Sequence, residues 1–385
     1  LSDTDPFHSK VTSVEENLKQ PNVASQIGLA EMFDASIGKS TVLMPFGGKY
    51  QLTETEGSVQ KLPVFGFTNT CSIMTHGYHP ELSLYSPYLG ASYSVVEALA
   101  RVTAMGGNYE TCRLTNQEYF ERLHTDPEKW GKPMQALLGL IEAEMAFETP
   151  AIGGKDSMSG TFNDISVPPT LITFAVTTEK TEHIISPEFK EAGHHIYYIK
   201  HTPNDNQTPN YEELKANFAK VRELIRKGVI CSAATVKFGG LAEALCKMSF
   251  GNKIGVEVKT SEHIFDLSIG SIVVESSEAI YDEAFVLLGK TTDADTICIN
   301  EECITIDKAI TAWCERYNTM YPMTVDQEKG VIETPEYTAN ERVHAKKTID
   351  KPKVIIPVFP GQNCEYDTKQ QFERAGAEAE IYVFK

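Results

Sequence analysis

Five consecutive residues near the middle of the chain have the properties of a phosphate-binding loop: Gly153, Gly154, Lys155, Asp156 and Ser157. Consecutive glycines let backbone N–H groups approach an anion, a lysine neutralises phosphate, and an aspartate can hold Mg²⁺. The spacing differs from the GxxxxGK[ST] pattern of P-loop proteins, so that class of site is excluded. The alternative is a plain turn with a solvated lysine–aspartate pair, and composition alone favours it. In both cases residues 151–160 are predicted to form a loop.

Glu97 is a second candidate, because it is the one carboxylate in an otherwise apolar helical stretch, residues 95–100. A buried carboxylate is unfavourable unless it is paired or bound to a metal. Arg101 follows four residues later, at the spacing of an ordinary surface ion pair on a helix. The pattern leaves two alternatives open, a metal ligand or one partner of an exposed ion pair.

Other reactive side chains have plainer explanations. His76 and His79 are three residues apart and can serve as ligands or as acid and base, but such a pair is more often structural or solvated. Cys364 lies in a predicted strand-to-helix turn, where a thiol pKa can fall. No histidine lies in the last forty residues to activate it, which favours a packed cysteine. Trp130 and Trp313 are predicted to be core residues.

Apolar periodicity predicts the elements that position these residues. Helices are predicted at 91–105, 133–147, 211–227 and 238–248, and strands at 170–176, 195–199, 254–258 and 271–274. A charged stretch at 177–182 is expected to separate two blocks, and 328–351 is expected to be a linker. The last piece is predicted to be a strand, a helix and a strand, at 354–359, 366–375 and 377–384, as in a parallel α/β domain.

Length and composition bound the class of protein. A chain of 385 residues with 41% hydrophobic and 23% charged residues predicts two or three globular domains. The net charge of −18 argues against nucleic acid as a partner, although backbone amides and Mg²⁺ can still hold a phosphate-bearing substrate. The eight cysteines are scattered without a CxxC pair, which predicts reduced thiols in a cytoplasmic protein.

The two ends of the chain suggest a piece of a longer polypeptide. The N-terminus has neither an initiator methionine nor a signal peptide, and no apolar run is long enough to span a membrane. The last residues, 381–385, form an apolar run that is predicted to stop inside a strand. We therefore expect both ends to be cut, and no membrane partner.

Five strings in a fixed order resemble phosphoribosylformylglycinamidine synthase in its large single-chain form. They occupy residues 86–91, 151–162, 164–170, 238–245 and 360–365. The resemblance implies an α/β (α+β) fold with an A half and a B half, as in aminoimidazole ribonucleotide synthetase. It places a lead-in at 1–20, the A half of the second synthase copy at 21–180 and its B half at 183–345. Residues 354–385 are then the truncated start of a class I glutaminase domain.

The same resemblance implies a function in purine biosynthesis. The family is a ligase that converts formylglycinamide ribonucleotide, ATP and glutamine to formylglycinamidine ribonucleotide. Its second copy is a pseudo-symmetric auxiliary half that binds Mg²⁺ and ADP. Residues 75–80 stand where the family has a Glu-x-His-Asn-His-Pro string. No catalytic residue is therefore expected in this chain, and the resemblance implies that the chain by itself is inactive. The partners implied are the missing first synthase half and the rest of the glutaminase domain.

The family's metal ligands carry over only in part. Glu97 and Asp156 match a Glu and an Asp, Asn69 stands where the first Asp is expected, and Arg101 replaces an Asn. The implied metal set is Glu97, Asp156 and Asn69, and the implied nucleotide site is 153–157 with Arg101. We expect Arg101 to pair with Glu97 or Asp156 and to weaken Mg²⁺ binding.

Two alternatives of other classes remain open. One is a non-catalytic nucleotide-binding or scaffold protein of the same fold. The other is an active ATP enzyme similar to aminoimidazole ribonucleotide synthetase, which needs carboxylate-rich metal strings that this sequence lacks.

Overall fold

The computed structural model describes residues 2–33, 38–324, 333, 335–336, 338–341 and 343–384. The chain divides into two compact units, residues 1–325 and 326–385. The predicted linker 328–351 belongs to the first part of the second unit. Part of it lies outside the described residues. In the described part of the chain, no helix combines the length and the apolar character needed to cross a membrane.

The described helices of the first unit are α1 (Val14–Leu18), α2 (Ile27–Glu31), α3 (Pro80–Tyr85), α4 (Pro87–Ala104), α5 (Pro127–Phe147), α6 (Tyr211–Arg226), α7 (Gly240–Phe250) and α8 (Ile306–Glu315). Short 3₁₀ turns lie at Gly38–Ser40, Tyr109–Thr111 and Thr181–His183.

The first nine described strands are β1 (Phe46–Gly47), β2 (Thr53–Glu54), β3 (Ser58–Lys61), β4 (Thr70–Gly77), β5 (Arg113–Tyr119), β6 (Ala151–Ser157), β7 (Thr161–Phe162), β8 (Ile165–Ser166) and β9 (Thr170–Lys180). The other strands of this unit are β10 (His195–Ile199), β11 (Ile230–Thr235), β12 (Gly255–Val258), β13 (Ile272–Ser276), β14 (Val286–Thr292), β15 (Thr296–Ile299) and β16 (Glu302–Thr305).

Two mixed sheets organise the first unit. The five-stranded sheet has the order β3-β4-β9-β5-β6, and all its neighbours are antiparallel except β5 and β6. The seven-stranded sheet has the order β11-β13-β10-β14-β12-β15-β16, with one parallel pair, β12 and β15. The mixed α/β class is as predicted, while the proposed domain bounds at 180 and 183 stay a prediction.

Helix α4 is the central element of the first unit. The Ser86 side chain caps it by accepting from the Leu89 N–H, and Pro87 occupies its first turn, where no N–H is needed. All of its residues except Tyr88 and Arg101 are buried, which is typical of a helix that is apolar on every side. It contacts β4 and β9 of one sheet and β11 of the other, so its side chains join both sheets in one core.

A second core lies around α7 and α8 and includes side chains of the seven-stranded sheet. Trp313 is fully buried there, as predicted, and its indole N–H donates to the Val23 carbonyl. The prediction for Trp130 was wrong, because 51% of its surface is exposed. Trp130 lies in the first turn of α5, and its indole N–H bonds the His124 carbonyl.

The predicted loop at 151–160 is also wrong, because Ala151–Ser157 is strand β6. It pairs in parallel with β5, whose edge is otherwise open. A Cβ on Gly154 would lie 2.5 Å from the Asn116 carbonyl oxygen, so this glycine permits close strand pairing. The glycine run is thus explained by a backbone contact within the sheet.

The cysteine predictions require two corrections. Cys298 and Cys303 are disulfide-bonded across the antiparallel pair β15 and β16, whereas all thiols were expected to be reduced. The two residues are direct register partners, and such partners lie close enough for a bond. Cys364 is exposed and not packed, because it occupies a left-handed turn before a helix with no buried residue.

The second unit contains β17 (Lys353–Val358), α9 (Glu365–Arg374) and β18 (Glu378–Val383). The two strands are parallel, so the predicted β-α-β unit is confirmed. Its buried hydrophobic side chains are only Ile356, Val358 and Ala379 among the described residues. A core this small supplies little burial free energy, because that free energy scales with apolar area.

We expect the second unit to open more readily than the five-stranded sheet. Amides of β17 and β18 should exchange with deuterium well before those of β9, because few buried contacts protect them. Hydrogen exchange followed by mass spectrometry on the full chain measures both at once, so β9 is the internal control. Equal protection of β17 and β9 would contradict the expectation.

Candidate functional site

Glu97 and Arg101 form a buried ion pair on α4. Arg101 Nη2 donates to Glu97 Oε1 at 2.7 Å, and the side chains are only 12% and 6% exposed. The second carboxylate oxygen of Glu97 accepts the Tyr78 backbone N–H at 3.1 Å. Of the two alternatives, the arginine partner is therefore the right one, but the pair is buried and not on the surface. The expected pairing of Arg101 with Glu97 is confirmed.

A second carboxylate and a second cation extend this pair. Glu56 accepts the N–H and the hydroxyl of Thr235 at 2.8 and 2.7 Å. Arg101 Nε and Lys237 Nζ lie 3.9 and 3.8 Å from the Glu56 carboxylate. We call Glu56, Glu97, Arg101 and Lys237 the Arg101 cluster. It has two negative and two positive charges, so it is balanced without an added ion.

The electrostatics of the cluster keep Glu56 and Arg101 charged. Burial acts to raise the pKa of Glu56, but Lys237, Arg101 and the Thr235 hydrogen bonds outweigh burial and lower that pKa. Burial acts to lower the pKa of Arg101, but Glu97 and Glu56 outweigh it and raise that pKa. The cations and anions thus stabilise one another inside the protein.

The two histidines beside the cluster are uncharged at neutral pH. Burial, followed by the positive charge of Arg101, lowers the pKa of His76 to about 4. Burial also lowers the pKa of His79 to about 4. His79 Nδ1 accepts the Leu82 N–H and caps α3, and the ring stacks on Phe238 at 4.6 Å. His79 therefore has a structural role, as its sequence context indicates.

The exposed strand β6 carries the residues that were predicted to bind phosphate. Gly153, Gly154, Lys155 and Asp156 are exposed, and Ser157 is half-buried. Lys155 Nζ lies 4.9 Å from the centre of the Tyr119 ring. Asp156 is the register partner of Glu118 on β5. Burial, followed by the Asp156 charge, raises the pKa of Glu118 to about 7.

The structure does not bring the three implied metal ligands together. Asn69 directly precedes β4, whereas Tyr78, whose N–H binds Glu97, directly follows it. These two residues are about 30 Å apart along the strand, so Asn69 is far from Glu97. Strands β9 and β5 separate β6 from β4, which puts Asp156 about 14 Å from the strand beside Glu97. Glu97 is already neutralised by Arg101. These residues do not fit a shared Mg²⁺ ion in this arrangement.

Sequence reasoning missed Glu56 and Lys237. Glu56 lies in a short polar segment that looks solvent-exposed, and its hydrogen-bond partner Thr235 is 179 residues away in the chain. Lys237 directly precedes the glycine-started helix that was singled out at 238–248. That adjacency was the one available signal, because long-range ion pairing leaves no local pattern.

Comparison with solved structures defines the class of fold. The PurL structure from Thermotoga maritima "complexed with FGAR" matches with a TM-score of 0.58 and 12% identity, over 86% of this chain and 57% of that one. The ADP complex of the same protein gives 0.57 and 13%, over 94% and 58%. A chain of the HypE–HypF complex matches with 0.50 and 11% identity, over 72% of this chain and 98% of that one. The chain has the mixed α/β fold of these proteins.

Sequence comparison points to one of them. The chain is 24% identical over 270 residues to the phosphoribosylformylglycinamidine synthase subunit PurL of Methanocaldococcus jannaschii, covering 64% of this chain and 35% of the relative. The same subunit of Lacticaseibacillus paracasei is 25% identical over 279 residues, covering 68% and 36%. No protein-family model matches the chain. The chain is thus similar to PurL and spans about a third of the length of these relatives.

We predict that Arg101→Met strongly destabilises the protein. Loss of the guanidinium leaves Glu97 and Glu56 buried with too little positive charge, which costs about 3–5 kcal/mol. Urea denaturation of the parent and the variant measures the loss. The double variant Arg101→Met with Glu97→Gln should recover part of it, because one uncompensated charge is removed.

The control for this prediction is Lys19→Met. Lys19 makes an exposed ion pair with Glu15, and such a pair contributes little. Its removal should leave the urea midpoint unchanged. Equal stability of Arg101→Met and Lys19→Met would show that the Arg101 cluster does not hold the fold together.

We also predict a pH dependence that comes from Glu118. Its pKa of about 7 in the folded chain lies above its ordinary value of 4.5, so the folded state binds this proton more tightly than the unfolded state. The stability from this group is full below about pH 4.5 and is lost as the pH rises through 7. Glu118→Gln should therefore be more stable than the parent at pH 8, by about 2–3 kcal/mol, and closer to it in stability at pH 5.

Urea denaturation at the two pH values tests this expectation. Glu301→Gln is the matched control, because Glu301 is exposed in the turn between β15 and β16 and should not alter the pH profile. If the parent and Glu118→Gln show the same change in unfolding free energy between pH 5 and pH 8, the pKa of Glu118 is not raised.

Proposed function

We propose that this chain is the auxiliary half of a large phosphoribosylformylglycinamidine synthase. In that reaction ATP phosphorylates the amide oxygen of formylglycinamide ribonucleotide, and ammonia from glutamine then displaces phosphate to give the amidine. The chain would supply the second, non-catalytic copy of the synthase fold, in the cytoplasm. The sequence similarity to PurL supports the reaction class, and the structural match to 57% of a PurL chain fits about one half of a synthase.

The Arg101 cluster is the observation that carries the proposal of an auxiliary role. In this cluster an arginine of the chain itself neutralises Glu97, the one carboxylate on α4. The histidines beside it are neutral, and His79 is engaged as a helix cap. A site of this kind supports a fold but offers neither a free carboxylate pair nor a charged acid for phosphoryl transfer.

An exposed apolar face supports a missing partner half. Six side chains of α5 are exposed and lie within about 100° of one another around the helix: Trp130, Met134, Leu137, Leu138, Ile141 and Met145. Ile152 on β6, and Phe162 and Ile165 in the β7–β8 hairpin, are also more than 70% exposed. Apolar patches of this size mark interaction surfaces. We propose that the first synthase half covers α5 and β6.

That partner would complete the nucleotide site. Lys155 and Asp156 lie on an edge strand whose surface is open, so a second half docked on β6 would enclose them. We propose that residues 153–157 then contact the phosphates of ADP or ATP, with Lys155 as the cation. Arg101 would act apart from these residues, because it neutralises Glu97 where the family holds Mg²⁺, which makes the chain less dependent on the metal.

The second unit would be the start of the glutaminase domain. Its parallel β17-α9-β18 unit is the repeating motif of α/β domains. Cys364 precedes α9 in a strand-to-helix turn, and burial does not protect it. The nucleophile of the glutaminase would belong to the rest of that domain.

A non-catalytic nucleotide-binding scaffold is the second candidate. The match to 98% of the chain in the HypE–HypF complex favours it, because a fold of this extent can constitute a chain by itself. An active enzyme similar to aminoimidazole ribonucleotide synthetase is less favoured, because Glu97 is paired with arginine.

We predict that this chain alone makes no formylglycinamidine ribonucleotide. Formylglycinamide ribonucleotide, Mg-ATP and ammonium chloride, which bypasses the glutaminase, are the substrates of the assay. Chromatographic detection of the amidine and of ADP measures turnover, and Thermotoga maritima PurL is the positive control. Rate acceleration requires all reacting groups to be positioned at once, and the catalytic half is absent. Turnover by this chain above the no-enzyme rate would refute the auxiliary role.

A further inference from the structure

Three strands of the seven-stranded sheet bring different metal-binding side chains to one place. Glu275 is on the inner strand β13, Cys231 is on its neighbour β11, and His194 directly precedes β10 on the other side. The register shifts between Ile230 and Ser232, which leaves Cys231 as a bulge residue opposite no partner. A bulge re-aims its side chain, and here Cys231 Sγ reaches the other two residues.

The donor atoms of this group are already close. The nitrogen, sulfur and oxygen atoms all lie within 4.8 Å of one another. His194 Nδ1 is 2.8 Å from Glu275 Oε1, and Cys231 Sγ is 3.8 Å from the same nitrogen. Ligands of a tetrahedral Zn²⁺ ion lie about 3.3–3.5 Å apart, given bonds of about 2.0 and 2.3 Å. Shifts of about half an ångström or less bring these two pairs to the required separation, and the Cys231–Glu275 pair, which lies within 4.8 Å, closes by up to about 1.3 Å.

Neighbouring backbone groups hold the Glu275 carboxylate in a fixed position, as metal binding requires. Glu275 is fully buried, and its oxygens accept the backbone N–H groups of Lys190 and Glu191 at 2.8–3.2 Å. Hydrogen bonds of this kind orient a metal-bound carboxylate and reduce the cost of fixing it. The Glu191 carboxylate, 3.7 Å from His194 Nε2, and solvent lie at the open side of the group.

We propose that His194, Cys231 and Glu275 form a binding site for a zinc-class transition metal, with water in the fourth position. The donor set decides the metal, because thiolate and imidazole select Zn²⁺ and similar ions over Mg²⁺. This site is separate from the Arg101 cluster and does not depend on the proposed synthase role. In the part of the chain that the structure describes, it is the one group of at least three such side chains with this geometry.

The metal would tie the segment before β10 to the sheet. At present this segment is tied to the sheet by the Glu275 hydrogen bonds to His194 and to two backbone amides. Hydrogen bonds between residues 191–194 and Thr291 on β14 tie it as well. The alternative is that these hydrogen bonds are the whole function of Glu275 and that Cys231 only fills space beside them. The two explanations differ in one measurable respect, which is whether the thiol binds a metal.

The experiment uses the full chain, stripped with a chelator and handled without oxygen or added reductant, so that Cys231 stays a thiol and the Cys298–Cys303 disulfide stays intact. Zn²⁺ affinity is measured by competition with a chromophoric chelator, and Co²⁺ is used as a spectroscopic probe of thiolate ligation. The variants are Cys231→Ser and His194→Gln, and Cys314→Ser is the control because Cys314 is also a half-buried thiol. Circular dichroism of each variant establishes that it is folded.

We expect the parent and Cys314→Ser to bind one equivalent of Zn²⁺ and to show a thiolate-to-cobalt charge-transfer band. Cys231→Ser should lose that band, and both site variants should bind Zn²⁺ about 100-fold more weakly or worse. Absence of the band in the folded parent, or its persistence in Cys231→Ser, would overturn the proposal. Equal zinc affinity in the parent and both site variants would overturn it as well.

Discussion

The buried guanidinium of Arg101 is the interaction on which the first unit depends. It neutralises Glu97 on α4 and approaches Glu56, which in turn binds Thr235 at the end of β11. One side chain thereby links the central helix, the segment before β3 and the seven-stranded sheet. Buried charges are tolerated only when they are balanced and hydrogen-bonded, so each member of the cluster constrains the others.

This constraint also limits the chemistry of the unit. A carboxylate that is paired with arginine and bound to the Tyr78 amide has no free oxygen for Mg²⁺. The chain has the mixed α/β fold of PurL, and its α4 position contributes a buried ion pair. Lys155, Asp156 and the apolar face of α5 are exposed and therefore accessible to a ligand or a partner.

Much of the fold could be predicted from the sequence because local patterns encode it. The periodicity of α4 and the apolar runs of β9 and β10 predict elements close to the observed ones. The strand at 151–157 could not be predicted, because its glycines are explained by the neighbouring strand and not by their own sequence. Only part of the candidate site could be predicted from the sequence. The i, i+4 spacing indicates the Glu97–Arg101 pair, but Glu56 and the His194–Cys231–Glu275 group depend on contacts across the chain.

Calorimetric titration of Mg²⁺ into the chain, with and without ADP, tests most directly whether Arg101 takes the place of the metal. The parent and Arg101→Asn are compared at one ionic strength, at a temperature where circular dichroism shows that the destabilised variant is still folded. The account predicts that the parent shows little Mg²⁺ binding and that ADP binding to it depends weakly on Mg²⁺. Arg101→Asn should gain Mg²⁺ affinity, because Glu97 then has an uncompensated charge. The account would be contradicted if the parent bound ADP tightly and only with Mg²⁺, and if Arg101→Asn did not raise the affinity for Mg²⁺.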